Sequence, residues 1–314
     1  MTLLIEAGAD AARQWRQVLQ ARDPALDVRL YPELGDPAEI TSLLSWKPPL
    51  GLLPQLPALR LLQCSGAGVD QLLDHPELPD CLARGVQVAR LVDPGQAQDL
   101  ATYALAVALG WYRRLDAYHE LARQGRWQRL FPHPASARCR VGILGLGVMG
   151  RTIARAFQAC GFPVAGWAAH RAILDGIETY AGRAELAPFA DQCGVLVCAL
   201  PLTPDTQGIL DAALFSRLAP RACAVNLGRG GHLIEADLLA WLAQAPDSAA
   251  ALDVHASEPL AADHPFWRHP RIRTTPHIGA FAAPERVAGQ IVGNHHGVLA
   301  GQVPLHRIDL GRGY

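Results

Sequence analysis

The chain has 314 residues, 50% of them hydrophobic and 18% charged, a composition that excludes intrinsic disorder and suits a globular protein with a sizeable core. Its 28 basic and 29 acidic residues leave a formal charge of −1, so no global field draws it to nucleic acid or to an anionic membrane surface. At roughly 100–200 residues per domain the length predicts about two domains with a cleft between them.

The opening residues Met1-Thr2-Leu3-Leu4-Ile5-Glu6 lack a basic leader, and no apolar run approaches the ~20 residues that span a bilayer, so a cytoplasmic chain is expected. Across residues 1–96, short apolar runs at 2–7, 59–64 and 86–89 alternate with connections punctuated by proline and glycine, which predicts an α/β lobe. Residues 96–124 continue without proline and predict one or two long helices whose apolar first half is buried. A second α/β series follows, with strands expected at 140–144, 163–167, 195–200, 222–227, 249–254 and 271–275. Helices are expected at 151–160, 210–218 and 236–245. Six strands alternating with helices predict a doubly wound parallel sheet. Residues 284–300 predict a last helix that returns to the first lobe. Seven cysteines without C-x-x-C pairs indicate neither a disulfide framework nor zinc and read as reduced core thiols.

The strongest local motif, Gly145-Leu146-Gly147-Val148-Met149-Gly150, lies between the expected strand at 140–144 and the expected helix at 151–160. Gly145 suits the tight turn out of the strand, Gly147 a close approach of backbone to a pyrophosphate, and Gly150 the packing of helix on sheet. The helix N-terminus then offers N–H groups and the positive end of its dipole to phosphate. At the end of the next strand, where an Asp or Glu would hold the ribose hydroxyls of NAD, the chain reads Trp167-Ala168-Ala169-His170-Arg171, with the first acid at Asp175. His170 and Arg171 therefore read as partners of a 2′-phosphate, which favours NADP(H) while leaving NAD(H) possible. The bland alternative is that the two residues only cap a surface loop.

Three further segments place polar residues after apolar strands: Asn226-Leu227-Gly228-Arg229-Gly230, Asp253-Val254-His255-Ala256-Ser257-Glu258-Pro259 and Thr275-Pro276-His277-Ile278. An arginine, a glutamate and a histidine suffice for reducing a 2-oxo acid. The guanidinium forks onto the carboxylate, and an imidazolium protonates the ketone oxygen as hydride reaches carbon. A carboxylate beside the histidine stabilises its charged form. His255 lies three residues before Glu258 and also follows a strand, so spacing alone leaves open which histidine is the acid.

These segments, in this order with Ser45-Trp46-Lys47-Pro48-Pro49, Gly66-Ala67-Gly68-Val69-Asp70, Leu200-Pro201-Leu202-Thr203-Pro204 and the closing Arg312-Gly313-Tyr314, resemble the D-2-hydroxyacid dehydrogenase family, and within it the A form of the glyoxylate/hydroxypyruvate reductases. The resemblance covers most of the chain. It implies a Rossmann-type dinucleotide domain of residues 97–283 inserted in a discontinuous flavodoxin-like substrate domain of residues 1–96 and 284–314. It implies that Arg229 binds the substrate carboxylate, that His277 is the proton donor and Glu258 its partner, and that Trp46, Ala67 and Gly68 contact substrate. Pro201, Asn226 and Asp253 would border the nicotinamide, alongside the pyrophosphate residues Gly145, Gly147, Val148, Met149 and Gly150. It further implies a homodimer formed through the long helices after the first lobe. Within the same fold, a dehydrogenase working oxidatively with NAD and a non-catalytic dinucleotide-sensing protein are the competing readings. NADP-using relatives carry Trp-Ser-Arg-Ser-Arg where this chain has Trp167-Ala168-Ala169-His170-Arg171, a loss of two hydroxyls and one guanidinium. Thr102 and His255 also depart from the Glu and the aromatic residue that are frequent at those positions.

Overall fold

Parallel strands buried on both faces read as continuous apolar runs, whereas helices beside them show one apolar stripe. A computed structural model of the protein describes residues 1–66, 68–131 and 135–308, and the chain divides into two compact units, Met1–Gln96 with Phe281–Tyr314, and Ala97–Ala280.

The first unit holds β1 (Thr2–Glu6), β2 (Asp27–Leu30), β3 (Ile40–Ser45), β4 (Leu61–Cys64) and β5 (Gln87–Arg90) in one parallel sheet of order β2-β1-β3-β4-β5. Successive side chains alternate between its faces. Leu3 and Ile5 pack with Trp15 and Leu19 of helix Ala9–Arg22 and with Val287 and Ile291 of helix Pro284–Leu299, while Leu4, Leu43 and Leu62 pack with Leu53, Leu72 and Cys81. The chain thus leaves this unit after Gln96 and returns to it with its last helix.

That last helix also brings His295 against Ser42 of β3, both 1% exposed, with a 2.7 Å hydrogen bond between Ser42 Oγ and His295 Nδ1. Burial, helped by neighbouring His296, pushes the His295 pKa down to about 4, so the unfolded chain takes up a proton before the folded one does. Stability contributed by the neutral ring is present above about pH 6.5 and is lost as pH falls towards about 4, a change of the order of 3 kcal/mol. We expect urea midpoints of the protein to fall between pH 7 and pH 4.5, and His295→Gln, which keeps a partner for Ser42 but cannot titrate, to lose distinctly less over that range. An equal loss in both proteins would contradict this account.

The second unit holds β6 (Arg140–Leu144), β7 (Val164–Ala168), β8 (Glu178–Ala181), β9 (Cys193–Cys198), β10 (Cys223–Asn226), β11 (Ala249–Leu252) and β12 (Ile272–Thr274) in a parallel sheet of order β12-β11-β10-β9-β6-β7-β8. This is the expected doubly wound α/β class. One face packs Val141, Ile143, Val195 and Val197 under Ile153, Ala154 and Phe157 of helix Val148–Ala159; the other packs Leu144, Leu196 and Cys198 against Phe189, Leu214 and Leu238. The strand order reverses between β6 and β9, and in open α/β sheets the crevice beyond the strand ends at such a point collects ligands.

The edge strand β8 is a seventh member, and it escapes the sequence because it is four residues long with no fully buried position. The helix expected over 210–218 shrinks to Ala212–Phe215. The long helical stretch is two helices, Pro94–Tyr112 and Leu115–Arg123, broken where Arg114 turns left-handed at φ 58°. Six cysteines are buried and Cys160 is exposed. No described helix is long and apolar enough to cross a membrane.

Candidate active site

The glycine-rich turn of residues 145–150 follows β6. Gly145 sits at φ +98°, and a Cβ there would meet the Ala199 carbonyl oxygen at 2.8 Å. A Cβ on Gly150 would lie 1.7 Å from the Gly145 carbonyl oxygen, so only glycine lets the helix close on the strand. A Cβ on Gly147 would meet no heavy atom of the described residues within 4 Å beyond its own chain neighbours, an open shelf for a ligand. Gly147 caps helix Val148–Ala159 without a side-chain hydrogen bond, and no acid stands in the first turn. The amides of Val148, Met149 and Gly150 belong to that first turn, whose N–H groups have no partner within the helix, beside the positive end of the helix dipole and next to a 73%-exposed Val148. This cradle fits a pyrophosphate.

Beyond β7, His170 and Arg171 are exposed. The sequence shows no acid before Asp175, yet the fold delivers one from farther along: Glu185 pairs with Arg171 Nη2, while Arg171 Nη1 donates to the Thr179 carbonyl at 3.2 Å.

Arg229 stands in the turn after β10. Asn226 shapes that turn, its Oδ1 accepting from the Gly228 amide at 3.2 Å and its Nδ2 donating to the Arg229 carbonyl at 2.9 Å. The fully buried His232 accepts the Arg229 amide on Nδ1 at 2.9 Å, and its Nε2 lies 3.2 Å from the Pro201 carbonyl. Sequence reasoning passed over His232; the signal was its place three residues after Arg229. Arg229 Nη1 donates to the Gly228 carbonyl at 2.8 Å. Next to it, a Cβ on Gly230 would fall 1.9 Å from the His255 carbonyl carbon, so the turn lies flush on the segment after β11.

That segment carries Glu258. One carboxylate oxygen accepts the His255 backbone amide at 2.9 Å, and the other meets His277 Nδ1 at 2.9 Å. Burial pushes the Glu258 carboxyl up, but the hydrogen bonds from His277 and the His255 amide prevail and hold it below the usual carboxylate range. The accepting carboxylate makes Nδ1 the donor and so fixes the ring's tautomer. His255 is different: Glu258 touches its backbone rather than its ring. The residue is 9% exposed, its Nδ1 is buried without a hydrogen-bond partner among the described residues, and burial pushes its pKa down. The geometry therefore separates the two histidines that spacing could not.

His277 itself adopts a left-handed φ of 56°, a conformation rare for a non-glycine residue that its surroundings must impose. Asp253, 2% exposed, imposes it. Its Oδ1 accepts from Thr275 Oγ1 at 2.6 Å and the Ile278 amide at 2.8 Å, its Oδ2 accepts the Gly279 amide at 2.7 Å, and its carbonyl accepts the His277 amide at 2.8 Å. Asn226 and Asp253, expected beside a nicotinamide, thus direct their side chains to the two turns that present Arg229 and His277.

In the first unit, Trp46 follows β3 and lies against Gly66, where a Cβ would meet the indole at 2.2 Å. Gly68 follows β4, its carbonyl accepting from Cys64 Sγ at 3.1 Å. Ala67 and the closing residues 312–314 lie outside the described residues.

Residues 105–279 match the family described as D-isomer specific 2-hydroxyacid dehydrogenase, NAD binding domain. The chain is 41% identical over 304 residues to glyoxylate/hydroxypyruvate reductase A of Serratia proteamaculans, covering 96% of each protein. It is similar to the NADPH-dependent glyoxylate/hydroxypyruvate reductase of Sinorhizobium meliloti, solved with NADP and sulfate, at 32% identity and a TM-score of 0.89 over 100% of both chains. A D-isomer specific 2-hydroxyacid dehydrogenase of Xanthobacter autotrophicus, solved with NADPH and MES, gives 36% identity and a TM-score of 0.88 over 100% of this chain and 99% of that one.

Proposed function

The chain belongs to the D-isomer specific 2-hydroxyacid dehydrogenase family, and from that premise we propose that it reduces small 2-oxo acids, glyoxylate and hydroxypyruvate foremost, with NADPH preferred over NADH. The observation that carries this reading is the single Glu258 carboxylate, which holds the His277 ring and also the His255 segment on which the Arg229 turn rests.

The residues divide the work by their chemistry. Arg229 takes the substrate carboxylate, because a planar guanidinium matches two carboxylate oxygens in one orientation. His277, held by Glu258 through Nδ1, delivers a proton from Nε2 to the oxo oxygen, and Glu258 stabilises the charged ring before delivery. Asp253 keeps that ring in its left-handed perch. A bound dihydronicotinamide supplies the hydride for the carbonyl carbon. Gly145, Gly147, Val148, Met149 and Gly150 take the pyrophosphate, and His170 and Arg171 the 2′-phosphate. Pro201, Asn226 and Asp253 border the nicotinamide, Asn226 and Asp253 through the turns that they shape. Trp46, Ala67 and Gly68 of the first unit contribute substrate contacts. The same proposal gives the chain a substrate domain of residues 1–96 and 284–314, a cofactor domain of residues 97–283, a homodimer built through helix Pro94–Tyr112 and a cytoplasmic place of work.

Following NADPH and NADH absorbance with glyoxylate, hydroxypyruvate, pyruvate and bulkier oxo acids tests the proposal. The expected order is glyoxylate and hydroxypyruvate above the bulkier acids, with a lower KM for NADPH than for NADH. Absence of turnover with every acid, or a lower KM for NADH, would overturn the corresponding half.

A further inference from the structure

The 2′-phosphate reading rests on a guanidinium that is already answered. Arg171 pairs with Glu185 through Nη2 and donates to Thr179 through Nη1. Glu185 is not a swinging surface carboxylate: its second oxygen accepts the amide of Ala181, the last residue of β8, at 2.7 Å. The arginine side chain is 58% exposed and the glutamate 37%. A dianionic group that reaches for Arg171 therefore meets a fixed negative charge beside it.

We propose that Glu185 is a specificity-determining residue for the cofactor: it competes with the 2′-phosphate for Arg171 and so narrows the preference for NADPH over NADH. This inference rests on the reading of Arg171 as the phosphate's partner. Its physical basis is local charge. With Glu185 ionised, the Arg171 pair is neutral and retains its ordering on Thr179. With a neutral side chain in its place, the same guanidinium keeps a full positive charge for a ligand that carries nearly two negative ones. NADH, which has no charge at that ribose, is indifferent to the change. The residue lies 14 positions beyond Arg171, which is why the run Trp167-Ala168-Ala169-His170-Arg171 gives no sign of it.

The experiment is direct binding to the purified full-length protein, without turnover. Dissociation constants for NADPH, NADH and adenosine 2′-monophosphate are measured by calorimetry for wild type, Glu185→Gln, Arg171→Ala and the double variant. Gln keeps an oxygen for the Ala181 amide, so the turn is preserved. Glu185→Gln is expected to tighten NADPH and adenosine 2′-monophosphate by about two- to fivefold, the scale of an exposed charge pair, and to leave NADH unchanged within error. Salt near 0.5 M, with a Debye length of only a few ångströms, is expected to shrink the gain. In the Arg171→Ala background the gain is expected to vanish. Unchanged or weaker NADPH binding in Glu185→Gln, beside a clear loss in Arg171→Ala, would overturn the competition and leave the phosphate reading standing. Unchanged NADPH binding in Arg171→Ala would overturn the phosphate reading and the competition together.

Discussion

His277→Asn is expected to lower kcat for glyoxylate reduction by ~10²–10⁴, the usual worth of a positioned general acid, while the dissociation constant for NADPH changes by less than about twofold. Asparagine is the informative replacement because His277 sits at φ 56°, a conformation that Asn adopts more readily than most residues. An alanine there would mix the loss of the ring with backbone strain. The loop should otherwise survive, since its bonds to Asp253 come from the His277, Ile278 and Gly279 amides and from the Thr275 hydroxyl. Steady-state kinetics beside NADPH titration checks the result; near-normal kcat would remove His277 from proton delivery.

Arg229→Ala is expected to act on capture of the oxo acid, lowering kcat/KM by ~10²–10⁴. A charge-assisted hydrogen bond contributes ~1.5–3 kcal/mol, and a forked pair makes two of them. Arg229→Lys should recover only part of this, since an ammonium answers the charge of a carboxylate but not its geometry. The turn is expected to persist in both variants, because Asn226 and His232 grip its backbone and not the guanidinium. NADPH affinity is the control. If KM for the oxo acid were unchanged in Arg229→Ala, the carboxylate would have another partner.

The fold class was legible because it rests on patterns that act locally. Buried parallel strands such as Cys193–Cys198 must be apolar throughout, and the Gly145 and Gly150 positions admit no side chain. Edge strand β8 has one covered side at most, so its sequence carries no such run. At the site, Arg229, Glu258 and His277 were visible as polar residues after apolar strands. The choice between His255 and His277 was not, since both precede or follow Glu258 at plausible distances. It depends on the side on which the Glu258 carboxylate turns, and the fold turns it so that His255 offers its amide and His277 its ring. Two of the supporting residues carry a second task that the sequence did not show. Asn226 and Asp253 stand out as polar residues at strand ends, and buried strand ends also need acceptors and donors for the turns that leave them. Their side chains fill that need. His232 and Glu185 act through partners three and fourteen residues away, and only the folded chain joins them.

The central claim is that Arg229 and His277 serve one carbonyl compound. A crystal structure of the protein with NADPH and oxamate, an inert analogue of a 2-oxo acid, tests it most directly. The expected complex has the oxamate carboxylate forked on the Arg229 guanidinium and its amide-carbonyl oxygen within ~2.6–3.2 Å of His277 Nε2. Oxamate bound away from either side chain, or a His277 ring that turns from Glu258 to leave Nε2 out of reach, would contradict the account.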